Sequence, residues 1–428
     1  MLLSEESGSP PIDRRSIGAL YATMVFSSAG NTMLTLVLGL HVYQITHREL
    51  DLGLLGLMAW TPIFVLVLAA GSVADRFDRR LVIAVALGAE SVICLGMSWF
   101  ASTAPTGVVE IFGLVILYGS ARAFIQPAMY SIPVDLVPES TLPKVIARGE
   151  FFSQTSFIVA PIAGAALFVY DTSLTYAVIA ALLATAGVIA LGVTAPRSSH
   201  PRRSPEESPS VAERFSDAIE GIRFIRSQPV VLGAVMLDLV AVLMGGAIVL
   251  LPAIAEERLG VGPEGVGWLR AAAGFGAVSA FVLLSTRPLQ RHIGRHLIST
   301  VGLFGVMTIL LGLTRSFAVA MIAIVILSAA DAISVWVRKT LVPLLTPREK
   351  RGRVIAFEQL AVSASNELGA FKTGVLGQMV GPGGAIVVGG VLTVGVVAAW
   401  PWLFPPLRKI DRFTDGLPET DLPREVVT

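Results

Sequence analysis

The sequence predicts an all-α membrane protein with twelve transmembrane helices in two pseudo-symmetric six-helix bundles. Three observations carry that expectation. The chain of 428 residues is 54% hydrophobic and 15% charged, where a soluble domain carries about 25% charged residues. Its mean hydropathy is +0.74. Twelve apolar runs can each cross a bilayer, and two stretches in corresponding places of the two halves resemble each other.

A helix needs about 20 apolar residues to span a bilayer. In the first half such runs fall near 17–44, 52–70, 81–101, 108–134, 145–170 and 174–194. In the second half they fall near 229–254, 265–285, 297–314, 317–342, 354–380 and 384–404. The longer runs are expected to tilt or protrude. Glycines and prolines inside them are tolerated because neighbouring helices re-satisfy the backbone. Residues 1–16 are polar and show no apolar core ahead of a cleavage site, so no cleavable signal peptide is expected. The single cysteine, Cys94, sits inside an apolar run and reads as a small core residue. It rules out an intrachain disulfide and a cysteine metal site.

Charge gives the orientation. With an even number of spans and the N-terminus inside, 26 of the 32 Lys and Arg residues fall on cytoplasmic stretches, Arg338 and Lys339 among them. Only Arg48, Arg258 and Arg315 fall outside, while Arg122, Arg270 and Lys372 lie within spans. The positive-inside rule therefore puts both termini in the cytoplasm and the chain in a cell (inner) membrane. A net charge of +1 gives nucleic acid no electrostatic handle.

The organisation follows from the same pattern: a bundle over 1–194, a cytoplasmic linker over 195–228, a second bundle over 229–405 and a cytoplasmic tail over 406–428. The linker begins PRSSHPRRSPEESPS, a flexible composition. After it, Val211, Phe215, Ile219, Ile222 and Ile225 share one face of a predicted amphipathic helix. That helix either lies on the inner membrane surface or connects the halves. Internal similarity supports the duplication. LVPESTLPKVIA (136–147) and LTPREKRGRVIA (345–356) align at an offset of 209, each joining an even span to the next odd one. The cluster GSVADRFDRR (71–80) has a weaker counterpart in TRPLQRHIGRH (286–296), which keeps the arginines but has no acid. Duplicated transporters place substrate near the midplane and rock their halves about it.

Here the residues meet a family. GSVADRFDRR resembles the loop 2–3 motif of the major facilitator superfamily, with Gly71, Asp75, Arg76, Arg79 and Arg80 in matching places. Asp78 stands where the motif has a glycine for its turn. ARAFIQPAM (121–129), the stretch 251–277, the stretch 331–360 and SNELGAFKTG (365–374) are similar to the enterobactin exporter branch. The resemblance covers nearly the whole chain. It implies a secondary transporter that usually works as a monomer, and a siderophore-like or drug-like cargo. APIAGAAL (160–167) is a degraded form of the family's antiporter motif, with Ala160 in place of its usual glycine.

Charges within spans cost about 2.5 kcal/mol or more each on insertion scales, and they face a cavity or a partner. Arg122, near mid-depth in span four, resembles the arginine that family antiporters place beside their coupling proton. It needs an acidic or carbonyl partner. An acid in a dry cavity can carry a proton, which makes Asp331, Glu367 and Asp238, in that order, the expected proton-coupling acids. A permanent salt bridge between helices is the competing role. Glu367 and Lys372 sit about 140° apart on a helix, so each is expected to pair across helices. Glu90, Glu150 and Glu358 are further charges within spans, and Arg270 is near enough to the surface to snorkel. Asn31, Gln126, Asn366 and Lys372 are the expected cavity residues.

The sequence thus predicts a proton-coupled exporter of an amphipathic small molecule by alternating access, siderophore-like by resemblance, with a multidrug efflux pump as the alternative. A non-transporting receptor or a lipid scramblase on the same fold is the alternative of another class. No HExxH, GxSxG, P-loop or histidine–cysteine cluster is present, so neither an enzyme nor direct use of ATP is expected, and no cofactor is called for. The partners are then the cargo, protons and the lipid bilayer. The cluster GSVADRFDRR has a further expected role. In the family, the acid at Asp75 faces the N-terminus of span eleven, which carries Arg351 and Arg353 here. A helix N-terminus holds roughly half a positive charge. Gly71, Asp75, Arg76, Arg79, Arg80, Arg351 and Arg353 are therefore expected to form a cytoplasmic gate, with Asp75 as its latch.

Overall fold

The computed structural model describes residues 14–137, 141–193 and 220–415. Among them every regular element is helical. The first half holds α1 (Arg14–Thr46), α2 (Glu49–Arg76), α3 (Arg79–Ser102), α4 (Val109–Arg122), α5 (Ile125–Leu136), α6 (Leu142–Tyr170) and α7 (Thr172–Leu191). The segment 220–227, here α8, is helical. The second half follows with α9 (Pro229–Gly245), a 3₁₀ turn (Ala247–Leu250), α10 (Leu251–Glu257) and α11 (Pro263–Thr286). It ends with α12 (Ile293–Leu313), α13 (Phe317–Leu344), α14 (Arg348–Leu403) and α15 (Pro405–Lys409).

Eleven helical stretches among the described residues are long and apolar enough to cross a membrane. One of them, α14, covers the two runs near 354–380 and 384–404. Gly381 interrupts it at φ 76°, ψ 160°, followed by Pro382. A side chain at that φ would be strained, and proline removes an amide, so the chain turns there without a loop. Two other spans are broken. The run 108–134 divides between α4 and α5 at residues 123–124. The run 229–254 breaks at Gly246, whose φ of 35° is left-handed. Hydropathy reads such runs as continuous because the interruption changes backbone geometry and leaves the side chains apolar.

The chain forms two compact units, one of residues 1–41 and 58–208 and one of 42–57 and 209–428. The sequence assigned 42–57 to the first bundle. It joins the second unit because Gly53 lies against the backbone of Phe371 and Gly374 against the backbone of Glu49, where a Cβ at either glycine would collide.

In the first unit α3 packs along α7. Ser91 Oγ donates to the Ala180 carbonyl at 2.8 Å, and Ser98 Oγ donates to the Ser173 carbonyl at 2.8 Å. Gly119 of α4 rests directly on the Ala59 carbonyl of α2. Small residues and hydroxyls of this kind let helices approach where lipid offers no hydrophobic drive. In the second unit α9, α12, α13 and α14 share a core that includes Leu237, Ala241, Leu297, Val301, Leu341 and Trp400. Trp400 Nε1 donates to the Gly233 carbonyl at 3.1 Å, and Gly276 of α11 rests on the Val325 carbonyl of α13.

The predicted amphipathic helix is described only over 220–227; its residues 211–219 lie outside the described residues. There Ile225 is buried with Val231, Val235, Val342 and Val354, and Gly221 sits against the Arg353 backbone. At Ile225 the helix is covered by the second unit's own helices.

Candidate functional site

The first unit gathers polar groups from three helices. Arg122, the last residue of α4, points a guanidinium at Glu90 of α3, with Nη1 3.5 Å from Oε1. Glu90 is fully buried, and its Oε2 has no hydrogen-bond partner among the described residues. One turn before Arg122, Tyr118 donates its hydroxyl to Asn31 Oδ1 of α1 at 3.1 Å. The break after Arg122 lets these groups converge, because α4 stops where the arginine must turn inward. Asn31 and Arg122, singled out in the sequence, thus belong to one network. Glu90 is its third charged or amide member and carries the spare acceptor. Gln126 and Glu150 are exposed on their own helices.

The second unit holds a different cluster. Arg338 of α13 forms ion pairs with Asp238 of α9 and, at 2.7 Å from Nε to Oε1, with Glu358 of α14. All three are buried, at 2%, 4% and 6% exposure. The sequence counted Arg338 with the cytoplasmic cations. Its side chain is instead interior, because α13 runs on to Leu344 and two acids on neighbouring helices draw it inward. Asp238 therefore sits in the salt bridge that was its competing role.

Lys372 finds a carbonyl where an acid was one option. Its Nζ donates to the Met244 carbonyl at 2.5 Å, at the break of the seventh run. Gly246 packs there against the Gly369 carbonyl and Thr373 Oγ1. A broken helix frees carbonyls, and an ammonium at that C-terminal end meets both the hydrogen-bond deficit and the dipole. Glu367 lies against Gly56. Glu367 and Asp331 are half-buried and form no hydrogen bond or ion pair among the described residues. Arg270 is half-buried with its Nε unpartnered. Asn366 is exposed.

Of the expected gate residues, the Asp75 side chain lies outside the described residues. Asp78 explains its own presence. It stands at φ −64°, ψ 116°, which any residue adopts, and caps α3 by accepting from the Arg80 amide at 3.0 Å. A glycine is not needed at that geometry. Arg80 also pairs with Asp78 at 2.7 Å and donates to the Val193 carbonyl at 3.0 Å. Arg79 donates to the Ser131 carbonyl at 3.2 Å, and Arg76 is exposed. In the second unit Arg351 reaches the Thr346 carbonyl at 3.5 Å. Arg353 pairs with Glu220 of α8, which also lies 3.3 Å from Lys350.

The family model described as Major Facilitator Superfamily matches residues 20–314 and 239–425. The chain belongs to the major facilitator superfamily. Its two overlapping matches cover both halves. Among curated relatives, the Enterobactin exporter EntS of Escherichia coli O1:K1 / APEC is 23% identical over 409 residues, 94% of each chain. The MFS-type transporter YfiS of Bacillus subtilis (strain 168) is 24% identical over 406 residues, 89% of this chain and 91% of that one. Among solved structures, a bacterial homolog of the human lysosomal transporter Spinster superposes with a TM-score of 0.70 at 17% identity, over 95% and 99% of the two chains. A POT family transporter in complex with a thioalcohol-conjugated peptide gives 0.72 at 14% identity, over 92% and 97%. These structures share the fold. The protein is therefore a multi-span membrane transporter of small molecules.

Proposed function

We propose that this transporter is a proton-coupled exporter of an amphipathic, siderophore-like small molecule. It works by alternating access as a monomer, with both termini on the cytoplasmic side of the inner membrane. The observation that carries the coupling is the Glu90–Arg122 pair: a fully buried carboxyl beside a cation, with one oxygen unpartnered. A carboxyl so placed can exchange a proton for contact with its arginine as the halves alternate. Asp331, half-buried and without a partner among the described residues, is the corresponding candidate in the second unit. Glu367 shares that description, whereas Asp238 is already committed to Arg338. The cargo class rests on the relatives named as enterobactin exporters. Asn31, Gln126, Asn366 and Lys372 remain the proposed cargo contacts, and Asp75 with its neighbouring arginines the proposed inner latch.

Inverted vesicles with an imposed proton gradient test the reading, with enterobactin as the probe. Gradient-driven uptake is expected, and Glu90→Gln and Asp331→Asn should each lower it by about 10-fold, equivalent to about 1.4 kcal/mol in barrier. If both variants keep wild-type gradient-driven uptake, the coupling assignment falls. If only cationic drugs are carried, the siderophore cargo falls and a multidrug pump takes its place.

A further inference from the structure

A cavity of about 440 Å³ opens where α12 begins and α14 gives way to α15. Its walls include Arg295, Arg408, Lys409, His292, Asp411 and Pro401. The wall carries three cationic side chains and one carboxylate. Asp411 is engaged: its Oδ1 accepts the His292 amide at 3.0 Å and lies 3.3 Å from His292 Nδ1. Arg295, Arg408 and Lys409 are exposed and have no ion pair or hydrogen bond among the described residues. Three cations thus line one cavity against a single acid, Asp411, whose own contacts run to the chain.

The cavity is also built on a firm frame. Leu407 of α15 is fully buried, and its carbonyl rests on Gly294 so closely that a Cβ there would collide. The Ile293 and Gly294 amides donate to the Asp411 and Ile410 carbonyls at 3.2 and 3.1 Å. The first amides of α12 are therefore spent on the chain itself. An anion in the cavity would be held by side chains. Beside the cations, at the end of a membrane-crossing helix, Trp402 and Leu403 are 78% and 62% exposed. Tryptophan in that position marks the headgroup level of a bilayer. Cations at the end of a membrane-crossing helix, with exposed apolar side chains next to Pro401 of the cavity wall, fit a lipid better than a soluble anion.

We propose that this cavity binds the phosphate headgroup of an anionic phospholipid, with Arg295, Arg408 and Lys409 on the phosphate and the acyl chains beside Trp402 and Leu403. Basic pockets of this kind between membrane helices hold acidic headgroups. The site is independent of the transport reading, since it involves none of the coupling or cargo residues.

The test uses the full-length protein purified in detergent, titrated with short-chain phosphatidylglycerol and followed by native mass spectrometry. Phosphatidylcholine and inorganic phosphate serve as separate arms. The wild type should retain phosphatidylglycerol over phosphatidylcholine. Arg295→Gln/Arg408→Gln/Lys409→Gln should weaken that binding by roughly 100-fold, from about fivefold for each cation near a lipid phosphate. Arg295→Lys/Arg408→Lys should keep most of it, and so should Lys144→Gln/Arg148→Gln, which removes exposed cations elsewhere. If the triple variant does not fold, Lys409→Gln alone should still show its fivefold share. Equal binding by the neutralised variants and the wild type would overturn the proposal. So would displacement of the lipid by inorganic phosphate at matched concentration, which would make the site one for a soluble anion.

Discussion

The two halves carry buried charge in opposite ways. In the second unit Arg338 faces two acids, Asp238 and Glu358, and all three are sealed from solvent. In the first unit Arg122 faces one acid at 3.5 Å, and that acid keeps an oxygen unpartnered. The repeat offset of 209 sharpens the contrast. Arg338, Asp238 and Glu358 align with Met129, Ala29 and Gly149, so the three-residue cluster has no counterpart. Arg122 aligns with Asp331, so the fourth helix of each half carries one mid-span charge of opposite sign. A cluster in which every acid is paired with the arginine holds helices together. A cluster whose acid keeps an unpartnered oxygen can change its proton or its partner.

The largest expected effect breaks the cluster in which both acids are paired. Arg338→Met strands two buried carboxylates and should cost about 3–5 kcal/mol, read as a fall in the thermal unfolding midpoint in detergent. Adding Asp238→Leu and Glu358→Leu should return stability close to wild type, because a well-packed apolar replacement of a buried ion cluster is about neutral. A single variant as stable as wild type would remove the interpretation of this cluster as a lock.

Arg122→Gln should cost less, about 1–3 kcal/mol, because the Arg122 side chain is 17% exposed and its pairing is long. Its larger effect should be on gradient-driven transport. If the rank is reversed, with stability lost and transport kept, the first unit's pair is structural and the contrast between the halves disappears.

Backbone packing gives a comparison in which the halves should agree. The α2–α4 contact is made by Gly119 on the Ala59 carbonyl, and the equivalent α11–α13 contact by Gly276 on the Val325 carbonyl. The same pair of helices touches in both halves, but the glycine sits on opposite partners. Gly119→Val and Gly276→Val should each destabilise by about 1–3 kcal/mol through overpacking. Unequal losses in thermal unfolding would show that the two contacts are not equivalent.

The sequence made the helical architecture legible because lipid imposes length and hydropathy on every span. The runs near 81–101, 174–194 and 317–342 recur as α3, α7 and α13 within a few residues. The breaks at residues 123–124 and at Gly246 did not show in hydropathy, since Arg122 and Gln126 at the first and two glycines at the second leave each run apolar overall. Arg122 was visible as a lone charge at mid-depth, but Glu90 could not be joined to it, because a single sequence carries no contact between helices. Arg338 was lost for a related reason. It lies next to Lys339 near the end of an apolar run, and only the positions of Asp238 and Glu358 reveal that it turns inward. The paired glycine in Gly245–Gly246 was the one local hint of the seventh-run break.

The smallest expected effect concerns the two clusters GSVADRFDRR and TRPLQRHIGRH. The first has acids and the second has none. The structure supplies the missing acid from far along the chain. Asp78 caps α3 from within its own loop, whereas α12 takes its cap from Asp411, whose side chain accepts the His292 amide and whose carbonyl accepts the Ile293 amide. Each cap should be worth about 1 kcal/mol. The consequences should differ even so. Asp78→Ala should fray only the first turn of α3. Asp411→Ala should also loosen α15, because the same residue joins α12 to the chain that follows it. Hydrogen exchange is the measurement: faster exchange at Leu407 in Asp411→Ala, with α3 protected beyond its first turn in Asp78→Ala, supports two different caps at matching places. Unchanged exchange at Leu407 would mean that Leu407 packing on Gly294, and not the Asp411 cap, holds α15 in place.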